Sequence, residues 1–206
     1  MTLRRSLTCG LIVMAGLCGY VHIVAAPEAV SSMARMGEVA PDFAIKDVYG
    51  KGYTLSEFKG RIIVLEWLNP ACPFSKARHE DKTMQNTYAR YAGKGVIWLG
   101  IDSSHFAKAE AVRVHMAEKH LNYPVLLDAD GKVGQQYGAK TTPHMFVIDK
   151  AGKLVYSGAI DDDAGGGKSE KETVNYVALA IDSLLAGKDI PKPQTRSYGC
   201  SVKYAR

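Results

Sequence analysis

The sequence predicts an α/β domain built on a central mixed β-sheet flanked by helices. Three observations carry this. RIIVLEWL (61–68), GVIWLGID (95–102) and YPVLLD (123–128) are short, near-continuous apolar runs, as expected of strands buried on both faces. The stretches between them are polar and long enough for helices, so the chain alternates strand and helix, which makes those strands parallel. Further on, TTPHMFVID (141–149) and KLVYSGAI (153–160) are joined only by Lys-Ala-Gly, a hairpin that adds antiparallel pairing.

The remaining elements follow in order. A strand around Phe43–Lys46 and a second short strand flank the turn Tyr49-Gly50-Lys51-Gly52, an N-terminal β-hairpin extension of the sheet. Ser56–Phe58 reads as one helical turn. From Pro73 to about Tyr91 the sequence suits a helix, closed by Gly93 and Gly95. Ser104 is placed to cap a helix running to about His120, with Ala109, Val112 and Met116 on its apolar face. VGQQYGA makes a short helix. DDDAGGGK (161–168) reads as a solvated loop. Ser169 with Glu172 makes a capping box for a last helix that buries Val174, Val177 and Ile181 and stops at Gly187.

The 206 residues, 47% hydrophobic and 23% charged, suit one domain with extra length at its ends. Residues 1–26 have a basic start, MTLRR, then an apolar run ending in small residues, the pattern of a cleaved secretory signal peptide. Residues 27–36 read as a flexible lead-in, 37–187 as the folded domain and 188–206 as a Pro-containing tail. Without residues 1–26 the net charge falls from +5 to +3, too mild and scattered for nucleic acid binding. The mature chain would be periplasmic or secreted, with no membrane attachment. It would keep two cysteines of the four, Cys72 and Cys200.

Cys72 follows a buried strand at the place where a helix should begin, and Pro73 fits the first helical turn. A thiolate there gains from free backbone N–H groups and the helix dipole, and Lys76 and Arg78 add positive charge. Those conditions lower a thiol pKa and favour a nucleophile. An inert, packed cysteine is the competing reading. Thr142-Pro143, at the start of an apolar strand, is either an ordinary edge proline or a cis-proline.

The stretches GEVAPDFAIKDVYGKGYTLSEFKG, RIIVLEWLNPACPF, TTPHMFVIDKAGKLVYSGAIDDD and YGCSVKY resemble the thioredoxin-like superfamily. Within it they are most similar to the redoxin group, which shares its domain with alkyl hydroperoxide reductase and thiol-specific antioxidant proteins. The resemblance is spread over residues 37–204. It implies a thioredoxin-like fold, Cys72 as nucleophile, Pro143 as a cis-proline facing it, and Thr142 offering backbone hydrogen bonds to a bound partner. It implies no bound organic cofactor and no metal, with electrons supplied by an external protein dithiol. The terminal YGCSVKY resembles the tail of a peroxiredoxin-like subgroup.

Two departures stand out. Ser75 occupies the resolving position of C-x-x-C. In the peroxiredoxin pattern P-x-x-x-[TS]-x-x-C, Leu65 and Asn69 replace the proline and the hydroxyl residue, leaving Asn69 as the donor to a bound substrate. The second thiol is therefore expected to be Cys200, brought to Cys72 on a mobile tail to resolve a mixed disulfide or sulfenic acid. A permanent structural Cys72–Cys200 disulfide is the alternative. His144 is a candidate proton partner, and the other histidines show no metal-ligand spacing. Tyr198 and Tyr204 are expected to dock the tail.

The expected activity is that of an exported thiol-disulfide oxidoreductase with thiol or disulfide substrates. The alternatives are a thiol peroxidase reducing hydroperoxides and a non-enzymatic binding module with a structural disulfide.

Overall fold

The computed structural model describes residues 33–169 and 172–205. The signal peptide expected over residues 1–26 lies outside them. β1 (Ala44–Asp47) and β2 (Gly52–Thr54) form the expected hairpin, followed by a 3₁₀ turn, Leu55–Phe58. β3 (Ile63–Trp67) leads into α1 (Pro73–Glu80) and α2 (Thr83–Ala92). Next come β4 (Ile97–Asp102), α3 (Ala109–Lys119), β5 (Val125–Leu127) and α4 (Lys132–Tyr137). The two-residue β6 (Thr141–Thr142) precedes the hairpin of β7 (His144–Ile148) and β8 (Leu154–Gly158). α5 (Tyr176–Leu185) and the two-residue β9 (Cys200–Ser201) follow.

The main sheet runs β2-β1-β5-β4-β3-β7-β8. β3, β4 and β5 are parallel, and the remaining pairings are antiparallel. This is the mixed sheet expected, with the N-terminal hairpin extending one edge. β3 lies at its centre with every residue buried. Its period-two alternation feeds two cores. Ile63, Leu65 and Trp67 pack with Phe43, Leu55, Val133, Tyr137 and Phe146. Val64 and Leu68 pack with Met84, Tyr91, Val112, Val177 and Ile181 from the helices on the other face. Trp67 is fully buried and donates to Ser103 Oγ at 3.0 Å, so it is core rather than a binding platform.

Several elements differ from expectation. The single helix over Pro73–Tyr91 is two, because Lys82 takes φ 63° between them. Ser104 caps nothing. It accepts from Asn69 Nδ2, and the helix expected from it begins at Ala109. The Ser169–Glu172 pairing forms, with Ser169 N–H donating to Glu172 Oε2, but the helix begins after Asn175, whose own side chain accepts from Ala178 N–H. Val174 is therefore exposed rather than buried, while Val177 and Ile181 are buried.

The segment read as a flexible lead-in is docked where it is described. Ala34 N–H donates to Gln136 O at 2.8 Å, and Met36 packs on the core. Two aspartates of the 161–168 loop, Asp161 and Asp163, are buried rather than solvated. Asp161 is 1% exposed and lies beside the buried Arg78 guanidinium.

Candidate active site

Cys72 is the N-cap of α1, with Pro73 at the first helical position. Its backbone is extended (φ −81°, ψ 123°), and its carbonyl accepts from Lys76 N–H at 2.9 Å. The loop that sets this geometry is held by Asn69. Its Oδ1 accepts from Ala71 N–H at 2.7 Å, its carbonyl accepts from Cys72 N–H at 3.0 Å, and its Nδ2 donates to Ser104 Oγ at 3.0 Å. Asn69 is 4% exposed, and both ends of its amide are engaged. Asn69, expected as a donor to substrate, here positions the nucleophile's loop.

Thr142–Pro143 is cis, as the resemblance implied. The Cys72 thiol donates to the Thr142 carbonyl at 3.0 Å. Thr142 is 2% exposed, and its hydroxyl is buried with no hydrogen-bond partner. The hydroxyl is nonetheless near enough to the Cys72 sulfur to favour its charged form. A thiol gives that hydroxyl nothing strong to donate to, whereas a thiolate would.

Cys200 completes the centre. β9 pairs antiparallel with β6 in the register Thr141↔Ser201 and Thr142↔Cys200. This places Cys200 directly opposite the residue whose carbonyl holds Cys72. Both cysteines are free thiols, and they lie near enough that each shifts the other's hold on its proton. Burial raises the Cys72 pKa, but the Cys200 thiol, the Thr142 hydroxyl and the backbone N–H groups of Ser75 and Cys200 bring it below the ordinary thiol value. Burial and the neighbouring Cys72 push the Cys200 thiol up. The pair is thus divided into one thiol that ionises readily and one that holds its proton.

The tail is not the mobile arm expected. Thr195 N–H donates to Ser157 O, and Thr195 Oγ1 accepts from Ala159 N–H. Tyr198 OH donates to Asp161 Oδ1 at 2.6 Å, Val202 N–H to Lys140 O at 3.0 Å, and Tyr204 OH to Ala139 O at 2.8 Å. Gly199, at φ 122°, lies so close to Thr142 that a Cβ there would overlap the Thr142 carbonyl. Tyr198 and Tyr204 dock the tail, as expected, and Cys200 is preset rather than delivered.

Two other expected contributors act elsewhere. His144 is not a proton partner for Cys72. It is buried, its Nδ1 accepts from Lys140 N–H at 3.2 Å, and its Nε2 lies 3.3 Å from Ser157 Oγ. Arg78 does not supply charge to the thiolate, because its guanidinium lies at 2.7 Å from Asp81 Oδ2 and 3.2 Å from Asp161 Oδ2.

One feature escaped the sequence reading. Glu66, the only acid in the run of β3, is fully buried. It accepts from Trp98 Nε1 at 2.9 Å and Tyr123 OH at 2.8 Å, and His79 Nε2 lies 2.8 Å from its other oxygen. His79 Nδ1 in turn lies 2.9 Å from His115 Nε2. This network ties α1 to the centre of the sheet and to α3. A lone glutamate inside an apolar strand was its visible signal.

A mixed sheet with a cysteine at a helix N-terminus, a cis-proline beside it and a second thiol on the strand paired to that proline's neighbour defines a thiol-redox protein of thioredoxin-like fold. The chain belongs to the redoxin family, which matches residues 35–177. It is 29% identical over 147 residues to the thiol-disulfide oxidoreductase ResA of Bacillus thuringiensis subsp. konkukian, covering 70% of this chain and 83% of that protein. Among solved structures it is similar to a hypothetical protein from Sinorhizobium meliloti 1021, with TM-score 0.74 and 31% identity over 84% of this chain and 97% of that one. A putative thiol:disulfide interchange protein DsbE from Chlorobium tepidum aligns at TM-score 0.53 and 25% identity, covering 60% of this chain and 84% of that one.

Proposed function

We propose that the chain is a redoxin-type thiol-disulfide oxidoreductase in which Cys72 is the nucleophile and Cys200 the resolving thiol. The observation that carries the reading is that Thr142, next to cis-Pro143, pairs with Cys200 across β6–β9 while its carbonyl accepts from the Cys72 thiol. Neighbouring groups assign the roles. Cys72 gives up its proton more readily, so it attacks, while Cys200 stays protonated until it is needed.

In the reducing direction the Cys72 thiolate attacks one sulfur of a substrate disulfide. That S–S bond breaks, and the departing thiolate takes a proton. Cys200 then loses its proton and attacks Cys72 Sγ in the mixed disulfide. The second substrate thiol leaves, and a Cys72–Cys200 disulfide remains. Two electrons have passed from the dithiol to the substrate, and an external protein dithiol resets the pair. Ser75 cannot resolve, since it has no thiol. Its N–H faces the Cys72 sulfur, and its Oγ accepts from Asn69 N–H.

Asn69 is 4% exposed and uses one Nδ2 hydrogen on Ser104 Oγ, which disfavours the hydroperoxide reading that needs it as a donor to substrate. The basic start and apolar run of residues 1–26 support export, placing the protein where disulfides persist. N-terminal sequencing of the secreted chain tests that part.

The roles are tested by incubating Cys200→Ser and Cys72→Ser with a disulfide substrate. The first should accumulate a mixed disulfide on Cys72, visible by mass spectrometry, and the second should form none. A stable adduct on Cys200 of the Cys72→Ser chain would reverse the assignment.

A further inference from the structure

A nucleophile beside a free strand edge is open to polypeptide substrates, because unpaired backbone N–H and C=O groups template an extended segment. The edge of β6 next to Cys72 is not free. β9 pairs along it, and Cys72 is left 2% exposed. The occupant is fastened on both sides of the redox pair, by Thr195 before it and by Val202 and Tyr204 after it. Glycines admit it closely. A Cβ on Gly199 would overlap Thr142, one on Gly158 would overlap Thr195, and one on Gly134 would overlap the Tyr204 hydroxyl. These contacts fit this particular strand and no general one.

Two openings flank β6: a hollow of about 900 Å³ along Thr141, His144, Thr195 and Ser197, lined by neither cysteine, and a smaller one next to Cys72. A cleft of about 200 Å³ lies against the first turn of α1, lined by Pro73, Phe74, Ala77, Ala164, Gly166 and Tyr198. That is below the ~300–1,000 Å³ of pockets holding drug-sized ligands. It has room for one arm of a small organic disulfide and none for a polypeptide strand.

We propose that strand β9 restricts the substrates Cys72 attacks to low-molecular-weight disulfides, by filling from within the chain the strand edge that a protein substrate would need, while the resetting dithiol reaches the pair through Cys200. The proposal rests on the exchange activity above. The chemistry is the same, with a small disulfide R–S–S–R accepting two electrons and leaving as two thiols. An incoming dithiol that resets the Cys72–Cys200 disulfide attacks at Cys200, the more exposed of the two residues.

The test is single-turnover oxidation of the pre-reduced full chain by 2-hydroxyethyl disulfide and, separately, by insulin. Wild type should react about tenfold or more faster, per disulfide, with the small molecule. Tyr204→Ala removes the last anchor of the tail and touches neither sulfur. Hydrogen exchange over residues 198–204 shows whether the tail has released. If it has not, Gly199→Val replaces it, since any side chain there collides with Thr142. Releasing the tail also displaces Cys200 and should slow both substrates alike, so the readout is the ratio of the two rates: relative to the small disulfide, insulin should gain about tenfold. Equal wild-type rates, or a released tail with no change in that ratio, would overturn the size restriction and leave exchange intact. Oxidation by neither disulfide would overturn exchange itself, and the restriction with it.

Discussion

Cys200 stands opposite Thr142 in an antiparallel strand pairing, and the carbonyl of that same Thr142 accepts the Cys72 thiol. One short segment therefore holds both halves of the redox pair. In a C-x-x-C site the second cysteine comes from the next turn of the same helix. Here that turn carries Ser75, and strand pairing brings the second cysteine from the other end of the domain. The nucleophile and the resolving thiol thus sit on separate elements, and the tail's anchors control their separation.

Cys200 should tune Cys72 as well as resolve it. The alkylation rate of Cys72 follows its thiolate, which appears as pH rises through the thiol pKa. Removing the Cys200 thiol removes the largest of the hydrogen bonds that oppose burial. In Cys200→Ala the rate profile with iodoacetamide should move to higher pH, and in Cys200→Ser by less, because the hydroxyl still donates. A profile that stays put or moves down would show that Cys200 does not stabilise the thiolate.

Arg78 should matter for stability and for the tail rather than for thiol chemistry. It is 6% exposed and faces Asp81, Asp161 and Asp163. Removing one partner of a buried ion cluster strands the others, so Arg78→Ala should cost about 3 kcal/mol. Asp161 also accepts from Tyr198, so the loosening should reach residues 198–200. Urea unfolding measures the first effect, and hydrogen exchange across the tail the second.

Glu66 is the buried anchor of α1. Burial pushes its carboxyl up, but His79, Trp98 and Tyr123 bring it below the ordinary range, so it is ionised in the folded protein. Glu66→Gln keeps the shape and turns an amide donor or a weaker acceptor towards His79. The urea midpoint should fall by an amount equivalent to about 2–3 kcal/mol with the slope unchanged.

Acid should destabilise the protein well above the carboxylate range. Burial, with Lys140 beside it, lowers His144 from 6.5 to about 4, and burial, with His79 beside it, lowers His115 likewise to about 4. Between those values the unfolded chain binds protons that the folded one does not. Stability is thus complete above about pH 6.5 and declines as pH falls towards 4, by ~3 kcal/mol for His144 alone. Protonated His144 can no longer accept from Lys140 N–H, so the first sign should be loosening around Lys140–Thr142. Urea midpoints between pH 7 and 4 check the decline, and a flat profile would contradict it.

The sheet was legible because its strands declare themselves. Ile63–Trp67 and Ile97–Asp102 lie within apolar runs too short for helices and rich in branched residues, and the Lys-Ala-Gly link allows little but a hairpin. Cys72 was legible for the same reason, since strand, cysteine and proline fix its place at a helix start. Helix limits were harder. Lys82 breaks one helix with a left-handed residue that no glycine announces, and Asn175 displaces the Ser169 cap because Tyr176 and Val177 are the residues that reach the core. The docking of the tail was hidden because its determinants are long-range. Gly199 and Gly134 look like ordinary turn residues until Thr142 and Tyr204 lie against them. The partners of Glu66 and Arg78 are likewise distant in sequence, so the charges were visible and the pairings were not.

The most direct test of the central claim is the midpoint potential of the Cys72–Cys200 pair in the mature protein, read by thiol trapping across glutathione buffers. A working exchange pair should titrate between roughly −120 and −270 mV, the span of dithiol enzymes. A midpoint well below about −300 mV would make the bond a structural staple and contradict the account.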